Sequence, residues 1–205
     1  MVKRTEPAAQ PPTLRAFIAI ELNEAVQIAL REVQDRLKKA VPPGVVRWVN
    51  PKGIHLTLKF LGDIPASQVQ EITEALTRAG ASVTPFTFVV EGRGCFPDFR
   101  RPNVIWVAVT EKSGALARLQ KAVEAEVSPL GYPPEGRAFR PHLTLGRTNR
   151  DAGGEKLRQV GAAVENTVVE VLGTVEVRSL SLMRSDLRPT GAVYTRLAEV
   201  PLGGV

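Results

Sequence analysis

The chain has 205 residues, 43% of them hydrophobic and 23% charged, the balance of an ordinary globular protein. No apolar run approaches the roughly 20 residues that cross a bilayer, the polar start Met1–Pro7 lacks the apolar segment of a signal peptide, and the single cysteine, Cys95, excludes an internal disulfide and a cysteine-built zinc site and suits a reducing cytoplasm. Lysine and arginine number 27 against 21 acids, a formal charge of +6, and 19 of the 27 are arginine, whose guanidinium grips phosphate with paired hydrogen bonds. That excess leans towards a polyanionic partner; the alternative is charge carried for solubility.

Residues 1–13 hold three prolines without periodicity and read as a disordered lead-in to a single domain over 14–202. Leu14–Ile20 is a strand. Asn23 caps a helix with Val26, Leu30, Val33, Leu37 and Val41 on one face, stopped by Pro42-Pro43-Gly44. A strand over Val45–Val49 leads through the turn Asn50–Gly53 to a strand beginning His55-Leu56-Thr57-Leu58. Ser67 with Gln70 is a capping-box pattern ahead of a helix running to about Gly80, and Phe86–Val90 is a strand. The order then restarts. Asn103–Val109 is a strand, Ser113 caps a helix bearing Leu116, Leu119, Val123, Val127 and Leu130, and a strand begins His142-Leu143-Thr144-Leu145. A helix over Glu155–Ala163 and strands over Thr174–Met183 and Ala192–Val200 follow, and Pro201–Val205 is a short tail. The two histidines follow the leading strands by nearly equal lengths, from Leu14 to His55 and from Val104 to His142. The pattern predicts an internal duplication and an α+β, bilobal fold, with two pseudo-twofold lobes of mainly antiparallel sheet around a central cleft and helices outside.

The chain has only two histidines, and each begins the tetrapeptide His-Leu-Thr-Leu. At this composition Leu-Thr-Leu follows a given residue by chance about once in 1,500, so the repeat demands a reason. In a strand, His and Thr point one way and the two leucines the other. Each lobe then offers one imidazole and one hydroxyl on its polar face, and a pseudo-twofold would bring both pairs to one cleft. Imidazole titrates near neutrality, so one can serve as acid and the other as base, while hydroxyls can donate to phosphoryl oxygens. This set suits in-line displacement at phosphorus and calls for neither metal nor cofactor.

Here the sequence resembles the two-histidine phosphoesterases, and within them the RNA 2′,3′-cyclic phosphodiesterases, also described as 2′-5′ RNA ligase-like proteins. The two His-x-Thr-x motifs carry the resemblance. So do Arg15–Leu22, Leu58–Asp63, Gly94–Pro97, Arg140–His142, Leu182–Ser185 and Gly191–Tyr194, which together span about residues 14 to 202. The resemblance implies a bilobal cleft and hydrolysis of an RNA-terminal 2′,3′-cyclic phosphate to a 2′-phosphomonoester, with reversal to 2′-5′ ligation allowed by the same chemistry. It implies His55 as proton donor, His142 as proton acceptor, and Thr57 and Thr144 as holders of the phosphoryl oxygens, in a cytoplasmic monomer whose partners are RNA ends and no membrane.

Strand parity sorts the neighbours. Lys59 shares the side of His55 and is a candidate phosphate contact. Arg140 shares that of His142, although Pro141 interrupts the strand, and Arg147 falls on the other side unless Gly146 turns the chain. For each the alternative is a solvated cation. Phe17, Phe96 and Tyr194 are candidates to stack on a base, against the alternative that they fill the core. Two other functions stay open at this level: action on a small cyclic nucleotide, and a non-catalytic RNA-binding module, which leaves the paired tetrapeptides unexplained. No phosphate-cradling glycine loop supports an ATP-driven ligase.

Overall fold

Alternating side-chain direction along the first strand, buried on both sides, establishes the two faces from which the rest is built. In the computed structural model, which describes residues 12–188 and 191–203, β1 (Thr13–Glu21) sends Ala16, Ile18 and Ile20 into the main core. Phe17 and Ala19 go to a small cluster on the opposite face. Most of the expected lead-in, residues 1–11, lies outside the described residues. Its last two residues, however, belong to the fold: the Ala66 amide donates to the Pro12 carbonyl at 2.9 Å, and Thr13 pairs with Pro65. The expected tail also starts later than Pro201, because Leu202 is buried and the Gly203 amide donates to the Val83 carbonyl at 2.8 Å.

Helices form where apolar spacing demands them, but two of their caps differ from expectation. The Asn23 side chain accepts from the Val26 amide and opens α1 (Glu24–Ala40), which buries Val26, Leu30, Val33 and Leu37. Ahead of α2 (Val69–Ala81) the chain makes a helical turn at Ala66–Gln68. The Ser67–Gln70 box does not form, and Gln70 donates to Glu74 instead. Before α3 (Ala115–Val127) the chain turns through Gly114 at φ +77, a left-handed conformation suited to glycine. The carboxylate of Glu111 takes the amides of both Ser113 and Leu116, doing most of what Ser113 was expected to do. The last helix is α4 (Gly154–Asn166).

The remaining strands are β2 (Val46–Trp48), β3 (His55–Pro65), β4 (Phe86–Phe96), β5 (Val104–Thr110), β6 (His142–Thr148), β7 (Gly173–Val177), β8 (Ser179–Arg188) and β9 (Gly191–Pro201). The single strand expected over 174–183 is thus two, broken at Arg178. They join one antiparallel sheet of order β7-β4-β5-β6-β3-β1-β8-β9, with β2 on the free edge of β6. The sheet divides naturally at β6/β3 into two half-sheets, the two expected lobes. The chain halves do not keep to their own lobes. The first half sends β4 to pair with β5, and the second sends β8 to pair with β1. Helices follow suit. The α2 and α3 pair lies behind the lobe of β1 and β3, and the α1 and α4 pair behind the other.

Both motif strands carry a β-bulge at the same place. Ile18 pairs with Lys59 and Ala19 with Thr57, so Leu58 is the extra residue. Ile105 pairs with Gly146 and Trp106 with Thr144, so Leu145 is the extra residue there. Two successive residues then face the core, Leu58 with Lys59 and Leu145 with Gly146. The side chains that follow, Phe60 and Arg147 among them, change face, until a second bulge at Leu61 restores the original parity in β3. This corrects Lys59. It is 2% exposed, on the helix side of the sheet, with Nζ bonded to Glu124 of α3 at 2.6 Å and to the Pro133 carbonyl at 2.8 Å. Behind the other bulge, buried Gln34 of α1 donates to the carbonyls of Leu145 and Val49, both at 2.8 Å. Each bulge therefore rests on a buried polar residue from the helix of the other chain half.

Truncating one partner of a buried ion pair strands the other's charge, at a cost of about 3–5 kcal/mol. Lys59→Ala should lose stability on that scale in urea unfolding, and Lys59→Met with Glu124→Leu should recover most of it. An unchanged midpoint for Lys59→Ala would contradict the buried pair.

Candidate active site

The half-sheets meet where Leu56 of β3 pairs with Leu143 of β6. Both leucines are fully buried on the helix side, so their neighbours project into the cleft. Continuing the antiparallel register by one residue each way sets His55 opposite Thr144 and Thr57 opposite His142. The two histidines are then diagonal neighbours, about 7–8 Å apart in an undistorted ladder. One imidazole and one hydroxyl from each strand are gathered on one face by the two leucines behind them.

Both rings are fixed in the same way. The Nδ1 atom of His55 lies 2.8 Å from the Gly53 carbonyl, and that of His142 lies 2.7 Å from the Arg140 carbonyl. A carbonyl oxygen only accepts, so Nδ1 carries the hydrogen in each ring and Nε2 is left to exchange a proton. Local sequence supplies these carbonyls two residues upstream. Gly53 ends a helical turn over Pro51–Gly53 capped by Asn50, and Arg140 precedes Pro141, before the strand begins.

Aromatic walls complete the positioning. Phe17 stacks on His55 at 4.5 Å between centroids, and Tyr194 meets the same ring edge-on at 5.0 Å. Phe96 meets His142 edge-on at 4.9 Å, with Trp106 6.4 Å away. Trp106 lies across Gly94, where an added Cβ would stand 2.2 Å from the indole, so only glycine admits it.

Burial holds both imidazoles below the ordinary histidine value, and their nearest charges differ in sign. Burial is the larger influence on His55, opposed by the Gly53 carbonyl and by the carboxylate of Glu21. Burial again dominates at His142. There the Arg140 carbonyl raises the value and the Arg147 guanidinium lowers it. Glu21, at the end of β1, pairs with His55 in the sheet and accepts from Ser181 at 2.7 Å and Arg196 at 3.3 Å. A cavity of about 380 Å³ opens beside His55, walled by Glu21, Asn50, Lys52, Tyr194 and Arg196.

The fold sorts the other candidates. Arg147 is exposed on the cleft side, because the bulge at Leu145 reverses the parity that argued against it. Arg140 is exposed before β6 and reaches His142 through its backbone carbonyl. Phe17 is 2% exposed and supports His55, with no free face for a base. Lys59 is on the far side of the sheet. Cys95 is buried and its thiol is pushed up to about 12, so it stays protonated and unreactive. Sequence reasoning missed Glu21, whose strand parity with Phe17 was an available signal. It also missed Phe60, 57% exposed and 6.1 Å from Phe17. Phe60 holds the same position after His55 that Arg147 holds after His142, and the same bulge brings both to the cleft.

Comparison with known proteins shows the family of the chain. The chain matches the family described as LigT like Phosphoesterase twice, over residues 20–106 and 107–194. An RNA 2′,3′-cyclic phosphodiesterase of Methanothermobacter thermautotrophicus is 35% identical over 182 residues, which cover 89% of this chain and 95% of that protein. One from Aquifex aeolicus is 34% identical over 196 residues, covering 93% and 98%. Among solved structures, TT0787 of Thermus thermophilus superposes with a TM-score of 0.76 at 30% identity, covering 93% of this chain and 99% of that one. E. coli LigT complexed with 3′-AMP shares the fold, with a TM-score of 0.73 at 22% identity over 93% and 99%.

The carbonyl contacts make a spectroscopic prediction. Nitrogen NMR of the labelled histidines at high pH should show both neutral rings with hydrogen on Nδ1, and both should titrate below about pH 6.5, the ordinary histidine value. Hydrogen on Nε2 in either ring would contradict the geometry.

Proposed function

Because the chain belongs to the LigT like phosphoesterase family, we propose that it hydrolyses RNA ends bearing a 2′,3′-cyclic phosphate, opening the ring to a 2′-phosphomonoester. The observation that carries the reading is the pair of Nδ1-anchored imidazoles on one cleft with neighbours of opposite charge. Curated relatives named for this activity, aligned along nearly their whole length, add support.

The pseudo-twofold leaves acid and base undetermined; the neighbouring charges support one assignment. Arg147 favours a neutral His142, which can take a proton from water at Nε2. Glu21 favours a charged His55, which can give its Nε2 proton to the departing 3′ oxygen. Water forms the new bond to phosphorus as the bond to O3′ breaks on the opposite side, and no net charge is created in the cleft. The turnover ends with the proton on His142, and its return to His55 resets the pair. Thr57 and Thr144, between the imidazoles, donate to the non-bridging oxygens, and Arg147 offsets their charge. Phe60 offers an exposed ring on the side of His55, suited to stacking on the terminal base.

His55→Ala and His142→Ala should each lower turnover on an RNA ending in a cyclic phosphate by about 10²–10⁴-fold. Full activity in either would sink the mechanism, and chelation by EDTA should leave turnover unchanged. The pH dependence of kcat/KM should be bell-shaped and centred on the acid side of about 6.5, since burial lowers both rings. Its acid limb reports His142, which must be neutral, and its alkaline limb reports His55, which must be charged. Arg147→Ala should therefore move the acid limb to higher pH, and Glu21→Gln should move the alkaline limb to lower pH. A shift of the alkaline limb in Arg147→Ala and of the acid limb in Glu21→Gln would reverse the assignment of roles.

A further inference from the structure

Next to Arg147 lies a cationic trough that the hydrolytic step does not use. Arg47 of β2 pairs directly with Arg147 of β6, so the two side chains leave the same face of the sheet, and both are exposed. Like charges opposed on an antiparallel ladder repel one another. Arg47 also lines a cavity of about 620 Å³ with Asn149, Arg150, Lys156 and one acid, Asp151. The wall is braced. The Asn149 amide donates to the Val45 carbonyl at 2.8 Å and its side chain to the Gly44 carbonyl at 2.5 Å. Among the described residues no carboxylate forms an ion pair with Arg47, Arg147, Arg150 or Lys156. On the β8–β9 side of the cleft, Arg184 is paired with Asp186 and Arg196 with Glu21 and Glu199. Two repelling arginines and a braced cavity of unpaired cations form a site whose missing component is anionic.

We propose that this trough binds the backbone phosphates of the RNA upstream of the cyclic end, through Arg47, Arg150 and Lys156. The proposal rests on the reading of the cleft as one that acts on RNA ends, and adds that the enzyme grips the body of the strand as well as its terminus. A mononucleotide supplies only the reacting phosphate. An oligonucleotide also supplies phosphates that release counterions when neutralised, so its binding should weaken steeply with salt. The trough is therefore the feature that favours RNA over a small cyclic nucleotide.

The test compares the parent with the triple variant Arg47→Ala, Arg150→Ala, Lys156→Ala. Two quantities are read: anisotropy binding of a labelled single-stranded oligoribonucleotide ending in a 2′-phosphate, across salt, and turnover of cytidine 2′,3′-cyclic phosphate. For three phosphate contacts the variant should lose about 2 from the slope of log affinity against log salt. The parent's affinity should then fall about 20-fold more than the variant's between about 50 and 200 mM salt. Mononucleotide turnover should stay within about twofold, and Arg47→Lys with Arg150→Lys should keep the parent slope. An unchanged slope in the triple variant overturns the proposal, as does a loss of mononucleotide turnover in parallel with binding at an unchanged thermal midpoint. If the parent turns over no cyclic phosphate and the variant still loses its salt-dependent binding, the trough stands and the hydrolytic reading falls.

Discussion

The pairing of Leu56 with Leu143 joins the two half-sheets, and the positions of the four cleft groups follow from it. Because the strands are antiparallel, one pair at the centre places each histidine opposite the other strand's threonine. Because side chains alternate, burying both leucines obliges all four polar groups to face the same way. A slip of one residue in either strand would turn a histidine into the core and a leucine into the cleft. The desolvation of an imidazole and the exposure of a leucine, about 1.5–3 kcal/mol for the latter, both oppose it. Register at the site is thus enforced by the core behind it.

Twofold symmetry gives the cleft two equal imidazoles, while hydrolysis of a cyclic diester needs two unequal ones. The symmetric elements are backbone: the strand pair, the bulges and the carbonyls two residues before each histidine. The asymmetric elements are side chains: Glu21 beside His55 and Arg147 beside His142. Phe60 and Arg147 show the division most directly. They occupy matching positions after matching bulges, one offering an apolar ring and the other a fixed charge. The backbone places the cleft groups, and a few substitutions on it give each a separate environment.

The four cleft residues were legible because the chain holds two histidines and commits both to one tetrapeptide. The helical stripe of Val26, Leu30, Val33 and Leu37 was legible for an equally local reason. What escaped depends on distant partners. A bulge at Leu58 or Leu145 leaves the alternation of residue types intact, so parity assigned Lys59 to the cleft and Arg147 away from it, the reverse of where they lie. Gly146 hinted at the irregularity in one strand, and nothing hinted at it in the other. The division of 174–183 at Arg178 is invisible locally, since β-forming residues continue through it and only pairing to opposite half-sheets separates β7 from β8. The cap ahead of α2 failed because a preceding helical turn over Ala66–Gln68 draws Ser67 into the coil it was expected to start.

The exchange of α1 and β4 for α3 and β8 bears on how the molecule is made. As the chain leaves the ribosome its first half holds a complete His-Leu-Thr-Leu strand, but the bulge beneath Thr57 waits for Glu124, and β1 waits for β8. A chain that stops after β4 has an unpaired strand and a helix with no sheet to cover. The first motif therefore cannot mature alone and then recruit the second. The geometry of the cleft is complete only once both halves are present, late in synthesis, and a truncated product has open strand edges.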